Sequence, residues 1–133
     1  MDSLKQLFRD GEVEQIISQN PEIKIRNKED IRKILKLLSD QKCNHRVMRY
    51  ILMINPFVLT RNPEELEELI YKLKEYHVIH LDKVFEGDPY LMSKNSFDID
   101  CFFFTKQKEG YSDQEIVEIL ENEPYQIEMT DSN

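Results

Sequence analysis

The chain has 133 residues and a formal net charge of −8, with 40% hydrophobic and 33% charged residues. This length and composition suit one compact globular domain with a heavily charged surface and exclude an intrinsically disordered chain. The sequence has three Gly, no Ala and no Trp, and it is rich in Leu, Ile, Glu and Lys. Helices are therefore favoured over a β-sandwich, which needs many tight turns.

Prolines recur along the chain at a nearly constant interval. Pro21, Pro56, Pro89 and Pro124 are separated by 35, 33 and 35 residues, and only Pro63 falls outside the series. A period of this length is typical of helical repeats. The residue before each repeat proline is an acid or an amide, namely Asn20, Asn55, Asp88 and Glu123.

A helix is predicted before each repeat proline. The positions four, five and eight residues before the proline are apolar in all four copies, which places them on one helical face. They are Ile17, Ile16 and Val13; Leu52, Ile51 and Met48; Phe85, Val84 and Leu81; and Leu120, Ile119 and Ile116. Each helix should end at its proline, since the residue before a proline is pushed out of the α region.

A second helix is predicted to begin six residues after each proline. Asn27, Asn62, Asn95 and Thr130 occupy that position and can accept a hydrogen bond from a free N–H at a helix start. The apolar stripes that follow are Ile31, Ile34, Leu35 and Leu38; Leu66, Leu69, Ile70 and Leu73; and Ile99, Phe102 and Phe103. In the third copy Lys106 stands where the other two have a leucine.

The last copy opens with a capping box at residues 112–115 (SDQE) and lacks a second helix, because the chain ends shortly after Thr130. The uncovered apolar edge would suit a homodimer through that end. These patterns predict an all-α fold, an α-solenoid of about 3.5 helix-pair repeats in one domain, residues 1–133. The repeats are expected at 4–38, 39–73, 74–107 and 108–127, with a frayed tail at 128–133.

Two copies carry the fullest form of the repeat, residues 55–59 (NPFVL) with 62–66 (NPEEL), and residues 110–116 (GYSDQEI) up to Pro124. The pattern resembles the repeat of the mitochondrial transcription termination factor (mTERF) family over roughly residues 7–127. The resemblance implies a solenoid in which each repeat has two α-helices and a short 3₁₀-like turn after the proline. It also implies binding of double-stranded nucleic acid along a basic concave face.

The charge is unevenly distributed. Residues 24–50 hold nine Lys or Arg and three acids, a net of +6, whereas residues 1–23 carry −3 and residues 51–133 carry −11. A basic patch of this kind can contact phosphate groups without reading bases. The residues predicted to do so are Arg26, Lys28, Arg32, Lys33, Lys36, Lys42, Arg46 and Arg49.

Other interpretations of the charge stay open at this point. The overall negative charge argues against nucleic acid, because phosphate contacts supply most of its affinity. The basic segment also fits a solvated helix face, or a complement to the acidic C-terminal half. The leading prediction is a non-catalytic binding module that uses the concave face of the stack, with nucleic acid as one partner class. The alternative is a protein-interaction scaffold or regulatory adaptor.

No catalytic motif is present in the sequence, which has no GxSxG, Gly-rich phosphate loop or HExxH pattern. His77 and His80 are three residues apart but have only Asp82 close by, so neither a metal nor a cofactor is predicted. We expect Cys43 and Cys101 to be reduced thiols in a cytoplasmic protein. The N-terminus resembles neither a signal nor a transit peptide, and no apolar stretch is long enough to span a membrane.

Three aromatic residues directly follow repeat prolines, namely Phe57, Tyr90 and Tyr125. Their equivalent positions predict that they belong to the core of the repeat rather than to a surface that stacks on bases.

Overall fold

The structure, a computed structural model, describes residues 2–129. Over that range the chain is all-α, with nine α-helices and three 3₁₀ helices and no strand. The α-helices are α1 (Asp2–Leu7), α2 (Glu12–Gln19), α3 (Lys28–Asp40), α4 (His45–Ile54), α5 (Pro63–Glu75), α6 (Leu81–Gly87), α7 (Ser96–Lys108), α8 (Asp113–Asn122) and α9 (Gln126–Met129). The 3₁₀ helices are η1 (Pro21–Lys24), η2 (Pro56–Thr60) and η3 (Pro89–Ser93).

The four repeat prolines end helices, as predicted. The residue before each proline has left the helix, with φ between −148° and −129° and ψ between 62° and 87° in all four copies. Its N–H still bonds the carbonyl four residues earlier. Its own carbonyl accepts from the residue three positions later, which starts the turn after the proline. The X-Pro step therefore sets the same local geometry each time.

The predicted caps at Asn27 and Asn95 are present at the starts of α3 and α7, and the predicted capping box is present at the start of α8. The side chain of Asn27 accepts from the Glu29 N–H at 2.8 Å. Asn95 and Asp98 form a reciprocal capping box, with bonds of 3.0 and 2.9 Å. Ser112 and Glu115 form a second capping box. α5 begins at Pro63, where proline fits the first helical turn. The predicted cap at Thr130 lies outside the described residues.

The second helix of each of the first three repeats ends in the same left-handed turn. Lys42, His77 and Gly110 have positive φ values of 68°, 69° and 100°. Each donates its N–H to the carbonyl three residues back, and the next residue donates to the carbonyl five residues back. This is the Schellman arrangement, for which glycine is the usual residue. Two of the three copies place a residue with a Cβ atom there.

The chain divides into two compact units, residues 1–63 and residues 64–133. In the first unit α2 packs against α4 and η1 against η2, so equivalent elements of successive copies lie side by side. η2 is also covered by α3 and α4. The core consists of apolar side chains from every element of the unit, among them Leu4, Ile16, Ile23, Ile34, Leu38, Ile51, Leu52, Val58 and Leu59.

In the second unit α8 packs against α6, α7 and α9. Tyr76, just after α5, stacks on Phe103 of α7 with ring centroids 3.8 Å apart, and its hydroxyl donates to Asp100 at 2.6 Å. The buried side chains include Leu66, Leu69, Leu73, Val84, Phe85, Leu91, Phe102, Phe103, Ile116 and Leu120. The predicted repeat contacts therefore exist within each unit, and the solenoid remains a prediction.

The prediction that the aromatic residues after the prolines are core residues is wrong. Phe57, Tyr90 and Tyr125 are 55%, 53% and 49% exposed. The 3₁₀ turn directs the second and third residues after the proline inward instead, so that Val58 and Leu59, and likewise Leu91 and Met92, are buried. Of the predicted tail, residues 128 and 129 lie in α9, and residues 130–133 lie outside the described range.

Candidate functional site

The predicted basic residues lie on α3, on α4 and in the segments before each of them. Several are engaged within the chain. Arg32 pairs with Glu29, and Lys36 pairs with Asp40 at 3.1 Å. Arg26 donates from Nη2 to the carbonyl of Arg61 at 3.2 Å and lies 3.8 Å from the Asp30 carboxylate. These contacts connect neighbouring turns and helices of the first unit.

Arg49 makes a bidentate ion pair. It donates from Nε and Nη2 to both oxygens of Glu12 on α2, at 2.8 and 2.5 Å. The hydrogen bonds from Arg49, together with the backbone N–H of Arg9, lower the pKa of Glu12 to about 2. The pair joins α4 to α2, so Arg49 has a structural partner already.

Most of the basic set is exposed, including the paired residues Arg32 and Lys36. Among residues 2–129, Lys28, Lys33 and Lys42 have no ion-pair partner. Arg46 is exposed on the outer side of α4. Lys36 also lines a groove of about 280 Å³ with Leu35, Ser39, His45 and Met48, where α3 and α4 meet α1. Lys28, Lys33 and Lys42 are therefore the members of the predicted patch that carry no ion pair within the described residues.

A second surface, in the acidic second unit, was not predicted. α7 is apolar on two sides. Ile99, Phe102 and Phe103 are buried, whereas Phe97 and Phe104 are 66% and 59% exposed. Phe97 and Phe104 are seven residues apart, so they lie on one helical face. Lys108 lies over the Phe104 ring, 5.0 Å from its centroid. Exposed aromatic residues on one helix face are a feature of interaction surfaces.

A groove of about 510 Å³ lies beside this face, between α5 and the start of α7. We call it the α5–α7 groove. Its lining residues are Glu67, Glu68, Tyr71, Lys72, Glu75 and Ser96. Tyr71 is 66% exposed, so most of its ring is available to a partner. Ser96 directly precedes Phe97, which places the groove next to the exposed aromatic face.

The charges of the groove are only partly neutralised within the chain. Lys72 pairs with Glu75 at 3.2 Å and with Asp100 at 3.5 Å. The hydrogen bond to Glu75 and the nearby Asp100 raise the pKa of Lys72, which keeps it charged. Over the described residues, Glu67 and Glu68 have no ion-pair partner. The groove therefore presents uncompensated carboxylates beside a tyrosine ring.

The apolar stripe predicted for this helix, Ile99, Phe102 and Phe103, is its buried face, and the outer face was not predicted. The run at residues 101–104 (CFFF) places apolar side chains around more than half of the helix, and Phe97 adds to the outer side. A helix that is apolar on opposite faces must bury both or expose one. That signal was present in the sequence.

The histidines and cysteines form no reactive cluster. His77 occupies the left-handed turn after α5, and His80 precedes α6; both are exposed. No group of three or more potential metal ligands occurs between residues 2 and 129. Cys43 is buried and Cys101 partly buried, and both are free thiols. None of the helices within the described range combines the length and apolarity that crossing a bilayer requires.

Comparisons of the chain with models of known families, with curated proteins and with solved structures found no match.

Proposed function

We propose that the chain is a non-catalytic protein-binding module, and that the outer side of α7 together with the α5–α7 groove forms its contact surface. One observation carries the proposal: Phe97 and Phe104 are exposed on a helix whose opposite face is already buried. Burying two phenyl rings against a partner would stabilise a complex by several kcal/mol in gross terms, at about 25 cal/mol per Å² of apolar surface. Aromatic residues in the centre of an interface supply much of its binding energy.

The repeat architecture supports the same proposal. A stack of helix pairs exposes long, continuous helix faces, which suit extended partners. The 3₁₀ helix after each of the first three repeat prolines supports the mTERF-like solenoid implied by the sequence.

A matched pair of baits tests the protein-binding function. The wild-type chain and a Phe97→Ser, Phe104→Ser variant would be immobilised and exposed to a lysate of the source organism, and captured proteins quantified by mass spectrometry. We expect the captured amount of at least one protein to be about tenfold or more lower on the variant than on the wild type, as is usual when interface aromatic residues are removed. Ile79→Ser is the control, since Ile79 is an exposed apolar residue of the same unit outside this surface. An identical set of proteins on both baits would refute the proposal.

Nucleic acid remains a second candidate, favoured by Lys28, Lys33 and Lys42, which have no internal ion-pair partner within residues 2–129. Anisotropy of a labelled DNA duplex at about 50 and 200 mM salt tests it. Phosphate contacts predict a steep loss of affinity with salt. Lys28→Glu with Lys33→Glu should abolish binding, and Lys74→Glu, in the second unit, should leave it unchanged. Absence of binding at the lower salt concentration would eliminate this candidate.

A further inference from the structure

We infer that the α5–α7 groove binds a basic amphipathic helix of a partner protein. This inference rests on the proposed function and specifies the chemistry of the partner. Three features of the surface point to such a segment: unpaired carboxylates, an exposed aromatic ring one helical turn after them, and a neighbouring pair of phenyl rings at helical spacing.

The carboxylates favour a cationic partner. The second unit has eighteen Asp or Glu and six Lys or Arg, whereas the first unit has eight and twelve. Glu67 and Glu68 line the groove, and within the described range neither has an ion-pair partner. An acidic segment would be repelled here, whereas Lys or Arg side chains would find opposite charges and be steered toward the surface.

The aromatic residues favour an amphipathic partner over a merely basic one. Tyr71 stands on the same helix as the two glutamates, and its exposed ring can receive a Lys or Arg through a cation–π contact. Phe97 and Phe104 are two helical turns apart, about 10 Å along the axis. A partner helix with apolar residues at positions i, i+3 or i+4, and i+7 matches that spacing.

A second copy of this chain is a poorer occupant. The basic side chains it could offer lie in the segment 24–50, and several are held by internal ion pairs. Arg49 is bound by Glu12, Arg32 by Glu29 and Lys36 by Asp40. Docking these three on another copy would require breaking those pairs. The unpaired Lys28 and Lys33 lie on α3, whose apolar face is already buried in its own unit, so α3 cannot offer an amphipathic surface.

A designed peptide tests the inference with the full chain. The probe is a fluorescein-labelled helical peptide of about 20 residues, with Lys and Arg on one face and Leu and Phe on the other. We expect anisotropy to show a Kd in the micromolar range at about 0.1 M salt, weakening severalfold at about 0.5 M. A scrambled peptide of the same composition and a version with Glu in place of Lys and Arg should bind at least about tenfold more weakly.

Substitutions locate the binding. Glu67→Gln with Glu68→Gln and, separately, Phe97→Ser should each raise the Kd about tenfold or more. All three residues are exposed, so the variants should fold, which circular dichroism would verify. Glu118→Gln, an exposed acid on α8, and Ile79→Ser are controls that should leave the Kd unchanged.

Several outcomes would overturn the inference. Tight binding of the Glu-containing or scrambled peptide would show that the surface does not select a basic amphipathic helix. Unchanged affinity in the groove variants would show that the peptide binds outside the α5–α7 groove. A dimer in analytical ultracentrifugation that Glu67→Gln with Glu68→Gln dissociates would assign the groove to a second copy. None of these results decides the broader proposal, which fails on its own test if the two baits capture the same proteins.

Discussion

Asp88 is a buried carboxylic acid at a position where another copy of the repeat uses an amide. Asn20, which precedes Pro21, donates from Nδ2 to the hydroxyl of Thr60, four residues after Pro56. Asp88 and Glu128 occupy the corresponding positions around Pro89 and Pro124. Two carboxyl groups can share a hydrogen bond only if one of them is protonated. Burial, reinforced by the negative charge of Glu128, raises the pKa of Asp88 to about 6.

The raised pKa makes the contribution of Asp88 to stability depend on pH. The folded state binds the proton more tightly than the unfolded state, so this contribution is fully present below the ordinary pKa near 4 and is lost as the pH rises through about 6. We expect Asp88→Asn to stabilise the protein by about 1–2 kcal/mol at pH 7. Glu12, with its lowered pKa, acts in the opposite direction in acid, so variant and wild type must be compared at each pH.

Urea unfolding at pH 5 and pH 7 measures the effect. The advantage of Asp88→Asn should shrink at pH 5, where the wild-type carboxyl is largely protonated. An equal difference at both pH values would show that titration of Asp88 is not its cause.

His77 has a backbone conformation that disfavours a side chain. Its φ of 69° places it in the left-handed region, where glycine has no steric penalty. We predict that His77→Gly raises the free energy of unfolding by about 0.5–1 kcal/mol, since the αL turn is kept and the strain is relieved. His80→Gly is the control, because His80 has a φ of −97° and gains no such relief. Thermal unfolding of both variants and the wild type measures this gain in stability. A His77→Gly variant that is less stable than the wild type would contradict the prediction.

At the scale of elements, the turn after α2 is tied to η2 by one buried side chain. Asn20 donates to the carbonyl of Pro56 at 3.2 Å and to the Thr60 hydroxyl at 2.9 Å. We expect Asn20→Ala to destabilise the protein by about 1–3 kcal/mol, because it removes a buried side chain that donates to the Pro56 carbonyl and to the Thr60 hydroxyl. Thr60→Val removes only one of the two bonds and should cost less. If urea unfolding gave the same loss of stability for Asn20→Ala and Thr60→Val, the contact with the Pro56 carbonyl would be unimportant.

The end of α6 lies unusually close to the proline after α8. A Cβ atom at position 87 would be 2.6 Å from Cγ of Pro124. We therefore predict that Gly87→Ala destabilises the protein by about 1–2 kcal/mol, although alanine favours helices more than glycine does.

Gln19→Ala is the matched control for this substitution. Gln19 occupies the same repeat position in α2 and is exposed, so it should change stability by less than about 0.5 kcal/mol. A stabilised Gly87→Ala in thermal unfolding would mean that α6 and Pro124 move apart readily.

At the scale of the whole molecule, the two units differ in charge, with a net of +4 over residues 1–63 and −12 over residues 64–133. The excess acids of the second unit repel one another, and salt screens that repulsion. We predict that raising NaCl from about 0.05 to 0.5 M increases the free energy of unfolding by about 0.5–1 kcal/mol.

Chloride is the appropriate salt for this measurement, because sulfate would also strengthen hydrophobic burial. Urea unfolding at the two concentrations suffices. A loss of stability would show that the ion pairs, such as that of Lys94 with Glu128, outweigh the repulsion.

Much of the local structure followed from residue type and spacing. The ends of α2, α4, α6 and α8 and the caps at Asn27, Asn95 and Ser112 were predictable, because proline sterics and cap hydrogen bonds act within four residues. The left-handed turns at Lys42 and His77 were not, since neither residue is a usual choice there. Of the candidate surface, the acidic run at residues 64–68 and the apolar outer side of α7 were visible in the sequence, but their proximity was not.

The sequence by itself determined the helices and the places where they break, since those depend on backbone sterics and hydrogen bonds between near neighbours. Only the tertiary structure decided which side chains form ion pairs and which are buried. Arg49 meets Glu12 across 37 positions of the chain, and Phe57 is exposed while Val58 is buried. The ion pair depends on how helices distant in sequence pack. The 3₁₀ turn separates Phe57 from Val58, and the packing of other helices decides which side of that turn is covered.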